Sequence, residues 1–140
     1  MNKLEIHPPS DLNSPDLAPN LGGFGIRFLA EGDSWFTVGA LNPLKNANLL
    51  FEMRFAQTAV AINCATPGDT LRRMVDTRRD PAFVDLLTGA RKRAWDGLLL
   101  SCGGNDLIDA LGVRADGVAL NLRLLRTAAE WGPASDGAAR

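Results

Sequence analysis

The chain has 140 residues, 15 Lys+Arg against 16 Asp+Glu for a net charge of −1, a single histidine and 46% apolar residues. That length fits one domain that buries ~two-thirds of its unfolded surface without staples, and the balanced charge excludes a basic footprint for nucleic acid. One histidine excludes a His-rich metal site and leaves His7 as the sole imidazole for a Ser–His–Asp arrangement.

No segment has the ~20 consecutive apolar residues that span a bilayer. Met1–His7 carries no apolar core of a signal peptide, so a cytoplasmic protein is expected. Residues 1–24 read as an irregular N-terminal arm. Four of the eight prolines (Pro8, Pro9, Pro15 and Pro19) stand there among Ser10, Asp11, Asn13, Asp16 and Asn20. Proline removes backbone donors, and the short polar side chains compete for the rest. His7, beside two prolines, reads as a solvated arm histidine. Gly22-Gly23-Phe24-Gly25 precedes an apolar run instead of following one, the wrong order for a dinucleotide fingerprint.

Three short apolar runs predict buried strands at 25–30, 58–62 and 97–100, nearly continuous as in a parallel sheet covered on both faces. Between and after them the spacing predicts helices over 46–57, 70–77, 81–91 (opening on Pro81), 106–111 and 118–131. Trp95, just before the third strand, reads as packing. Alternation of strand and helix is the grammar of an α/β fold with right-handed crossovers. Cys64 and Cys102 fit neither a disulfide framework nor a zinc pattern and read as two buried free thiols.

In open α/β sheets the site lies past the carboxyl ends of the strands. Those ends read Glu31-Gly32-Asp33-Ser34, then Asn63-Cys64-Ala65-Thr66-Pro67-Gly68-Asp69, then Ser101-Cys102-Gly103-Gly104-Asn105-Asp106. Gly32 would permit a sharp turn presenting Ser34, Gly68 would offer an unobstructed backbone N–H, and Asn105 would offer an amide donor. A hydroxyl with two such donors is what acyl transfer needs, one group to attack a carbonyl and the others to hold the oxyanion. Asp33 reads as an acceptor for backbone N–H groups, and Asp106 as a cap on the next helical turn.

Gly32-Asp33-Ser34, Gly68 and Gly103-Gly104-Asn105-Asp106, each after a predicted strand, resemble the first three blocks of the SGNH (GDSL) hydrolase superfamily. The resemblance covers residues 25 to roughly 110. It implies a doubly wound, flavodoxin-like three-layer sandwich, of whose five parallel strands three, in order 2-1-3, are expected here. It implies Ser34 as nucleophile of an esterase or lipase. It implies the Ser34 and Gly68 backbone N–H groups and the Asn105 side chain as oxyanion hole, with Gly32, Asp33, Gly104 and Asp106 in support.

A small ester substrate is implied, and no cofactor or metal. The family's last block, Asp-x-x-His, has no counterpart after Asn105. Residues 25–133 are therefore expected to form an incomplete domain, weak or inactive alone, with 134–140 a flexible tail. The third strand would then leave an apolar edge, Leu98-Leu99-Leu100, that favours self-association unless 118–131 covers it. Two other readings stand beside this one. Asp33, Asp69 and Asp106 at one rim would suit Mg²⁺ in phosphoryl transfer, and a non-catalytic α/β binding module is the third.

Overall fold

Alternation of apolar and polar residues along Asn2–His7 places Leu4 and Ile6 on one face and Lys3, Glu5 and His7 on the other. In the computed structural model, which describes residues 1–37, 48–78 and 81–107, this segment is a strand, β1. It corrects the expectation of an irregular arm over 1–24. The rest of that arm holds two 3₁₀ turns, Asp11–Asn13 and Leu21–Gly23, as its prolines and glycines dictate.

The three expected strands are present as β2 (Ile26–Gly32), β4 (Ala59–Asn63) and β5 (Gly97–Ser101). Between β2 and β4 lies a two-residue strand, β3 (Arg54–Phe55). The sheet therefore has five strands in order β3-β1-β4-β2-β5, not three. The expected 2-1-3 order survives inside it as β4-β2-β5, all parallel. β1 adds to β4 in parallel, and β3 closes that edge antiparallel to β1. Among the described residues β5 pairs on one side only, with β2.

The helices are shorter than their patterns. They are α1 (Ser34–Thr37), α2 (Leu49–Glu52), α3 (Leu71–Met74) and α4 (Pro81–Leu87). The helix expected over 46–57 gives one turn, because the chain passes from Glu52 through an extended Met53 into β3. That turn is capped by Asn48, whose side chain accepts from the Phe51 N–H. Pro81 opens α4 as expected. The helix expected over 118–131 and the tail 134–140 lie outside the described residues.

The strand period of two divides the core between the faces of the sheet. Ala30, Ala59, Ala61 and Leu4 gather with Phe36 of α1 and Leu50 of α2. Leu29, Ile62 and Cys64 gather with Leu86 of α4, and Leu12, Leu21 and Trp95 pack against them. Trp95 is pinned there by its indole N–H, which donates to the Leu86 carbonyl at 2.9 Å. The resulting architecture is mixed α/β about a mostly parallel sheet. No described helix is long and apolar enough to cross a membrane. The chain divides into two compact units, Met1–Cys102 and Gly103–Arg140. All five strands belong to the first.

Candidate functional site

β2 lies between β4 and β5, so its carboxyl end is flanked by chain on both sides. Gly32 is the last residue of β2 and has no positive φ. Its need for glycine comes from close approach, not from the sharp turn expected of it. A Cβ there would stand 2.9 Å from both the Cβ and the carbonyl oxygen of Ser101, and 3.0 Å from Phe36 Cδ2. Residue 32 is thus where β5 and α1 close on β2.

Asp33 follows, 1% exposed. Its Oδ1 accepts from the Trp35 N–H at 3.1 Å and from the Ser101 hydroxyl at 2.7 Å. Its own N–H donates to the Ser101 carbonyl at 3.1 Å, and its carbonyl accepts from the Phe36 N–H and the Thr37 hydroxyl. Asp33 is therefore the N-cap of α1, and one carboxylate oxygen ties the helix start to β5. Ser34, the alternative cap, instead occupies the first helical position, half-buried, beside an exposed Trp35.

The loop after β4 is fastened to the same strand end. The Cys64 N–H donates to the Ala30 carbonyl at 2.8 Å and the Thr66 N–H to the Gly32 carbonyl at 2.9 Å. Thr66 to Asp69 form a turn closed by the Asp69 N–H on the Thr66 carbonyl, with Pro67 and Gly68 at its centre. Gly68 has φ +80°, the value that a type II turn demands at this position and that favours glycine. Nothing lies within 4 Å of where its Cβ would be, so one side of its backbone is open to approach. Arg73 reaches back to the Gly68 carbonyl.

Two asparagines complete the setting. Asn48 and Asn63 both donate side-chain N–H groups to the Phe36 carbonyl, at 2.9 and 3.0 Å, and Asn63 also accepts from the Ala65 N–H. Asn48 ties α1 to the start of α2, and Asn63 ties it to the end of β4. The roles of Asn48, Asn63 and Ser101 are not anticipated by the motif blocks. Their signal was position, since Asn63 and Ser101 end the strands on either side of β2.

Gly32, Asp33 and Ser34 are thus brought to one strand end with the Gly68 turn tied beside them. Gly104, Asn105 and Asp106 belong to the second unit. There, after Gly103 at φ +95°, residues 104–107 form a helical turn in which the Leu107 N–H donates to the Gly103 carbonyl. Asp106 is inside that turn and not its cap. No group of three or more His, Cys, Asp or Glu side chains suited to a metal ion is present among the described residues. The three-aspartate Mg²⁺ reading therefore finds no cluster to rest on.

Both cysteines are free, but only Cys64 is buried; Cys102, just past the end of β5, is exposed, against expectation. His7 is not a solvated arm residue. It ends β1, half-buried, with Nδ1 3.0 Å from Asp11 Oδ2 and Nε2 2.8 Å from Glu5 Oε1. Partial burial works to lower its pKa, yet the hydrogen bonds and charges of Glu5 and Asp11 hold it above its ordinary value.

Comparison with known proteins gives no match among family models, curated proteins or solved structures.

Proposed function

We propose that the chain is a serine ester hydrolase of the SGNH type, built on a flavodoxin-like three-layer sandwich, with Ser34 as nucleophile. The observation that carries this reading is the division of labour between Asp33 and Ser34. Asp33 caps α1 and fastens β5, so the helix start does not need the Ser34 hydroxyl as its cap. A serine released from capping at the carboxyl end of a central parallel strand stands where α/β sheets place their chemistry. The parallel order β4-β2-β5 and the open Gly68 backbone support the same reading.

In this mechanism Ser34 Oγ attacks an ester carbonyl. The N–H groups of Ser34 and Gly68 hold the oxyanion, the serine proton passes by way of solvent water to the departing alcohol, and a second water hydrolyses the acyl-enzyme. His7 does not serve as base, since both its ring nitrogens face carboxylates. A serine site without its imidazole keeps only ~10³–10⁴-fold acceleration over water. The chain alone should therefore turn over p-nitrophenyl acetate slowly, and whatever part of that turnover passes through an acyl-enzyme on Ser34 should be lost in Ser34→Ala. Equal rates for the two proteins would sink the claim that these residues alone catalyse.

Self-association along β5 belongs to the same proposal, because Leu98 and Leu100 are exposed on a strand paired on one side among the described residues. Light scattering that returns a monodisperse monomer would contradict it.

A further inference from the structure

The carboxyl end of β1 holds a device that the proposed chemistry does not use. His7 is flanked by two carboxylates, Asp11 on Nδ1 and Glu5 on Nε2. A carboxylate only accepts hydrogen bonds, and a neutral imidazole has only one N–H to donate. Both contacts can be hydrogen bonds only when both ring nitrogens carry protons. The two partners differ in consequence. Glu5 shares β1 with His7, whereas Asp11 belongs to the first turn of the segment that leaves β1 through Pro8 and Pro9. That segment, residues 8–24, lays Leu12 and Leu21 against the buried Leu29, Ile62, Cys64 and Leu86.

We infer that His7 is a proton-operated clasp, fastening the 8–24 segment over one face of the sheet when its ring is charged and loosening it when the ring is neutral. In the neutral state one carboxylate loses its donor, and the bond that remains loses the positive charge of the ring. The charged surroundings are simple. β4, next to β1, carries no ionisable side chain over Ala59–Asn63. Lys3 shares the His7 face of β1. Arg27 of β2, level with Glu5 across β4, is held by Asp96. Glu52 of α2 and Arg54 of β3 lie where β3 pairs with Asn2 and Lys3, at the other end of β1. Glu5 and Asp11 are thus the groups that set the charge of His7.

Because the chain has one histidine, its ring protons titrate without overlap in an NMR spectrum of the full chain. The midpoint is expected above the ordinary 6.5 and should fall toward it in Asp11→Asn. Amide-exchange protection factors over 8–24, corrected for the intrinsic pH dependence, should drop about twofold between acid and alkaline sides of that midpoint, the size of a solvent-screened ion pair. In His7→Gln the same amides should show no such step. A wild-type midpoint at or below 6.5, or protection over 8–24 that is flat across the titration, would overturn the inference. The wild-type arms need no variant to fold, and neither reads ester turnover, so they fail or succeed independently of the Ser34 assignment.

Discussion

The carboxyl ends of β1 and β2 each carry an aspartate within a few residues, yet the two ends are built in opposite ways. At β2, Asp33 is sealed from solvent and holds backbone and strand together through the Trp35 N–H and the Ser101 hydroxyl. At β1, Asp11 holds a side chain, His7, at a half-buried site where Glu5 competes for the same ring. The first arrangement fixes geometry. The second changes with one proton and joins a loop-rich segment to the sheet. A buried acceptor with donors from its own turn and from β5 makes a fixed strand end, whereas an ion-pair cluster open to water makes an adjustable joint.

The comparison breaks most severely at Gly32. Gly32→Ala forces a Cβ against Ser101 and Phe36, and should cost about 3 kcal/mol in urea unfolding, in line with overpacked cores. Asp33→Ala comes next, at about 2 kcal/mol, because it strands the Ser101 hydroxyl and removes the α1 cap. Gly68→Ala should cost about 1 kcal/mol through its positive φ, with no steric clash. It should leave the exchange of β2 amides unchanged.

The β1 end gives the smallest effect. The folded-state pKa of His7 is raised, so its contribution is present below about 6.5 and is lost as pH rises through the higher folded value. Solvent screening holds that contribution to about half a kcal/mol. It should be visible as a stability difference between wild type and His7→Gln at acid pH that vanishes at alkaline pH.

The legible parts of the fold were those with unmixed signals. β2, β4 and β5 are near-continuous apolar runs bounded by turn residues, whereas their relative order was implied by the family resemblance and not by the runs themselves. β1 was obscured because its alternating Leu4 and Ile6 pattern runs straight into Pro8-Pro9, and the prolines dominated the reading of the whole segment. The helix expected over 46–57 failed for a related reason. Leu49, Leu50 and Met53 fit a helical period, but Met53 is extended and Phe55 packs instead in the core beside Phe28, at ring centroids 5.2 Å apart.

At the site, the type of residue at each strand end was legible and the reason for it was not always so. Gly32 is required by the approach of β5, a tertiary fact with no local signature. Asp33 binding Ser101 spans 68 residues of sequence. The His7 cluster needed β1 to be recognised before its neighbours could be seen.

The central claim is that Ser34 is a nucleophile set at the fixed end of β2. The direct measurement is labelling of the full chain with a serine-directed fluorophosphonate, located by peptide mass spectrometry. The account predicts one slow adduct on the peptide containing Ser34, retained in His7→Gln and absent in Ser34→Ala. An adduct carried by another residue, or a wild-type chain left unlabelled under prolonged exposure, would contradict it.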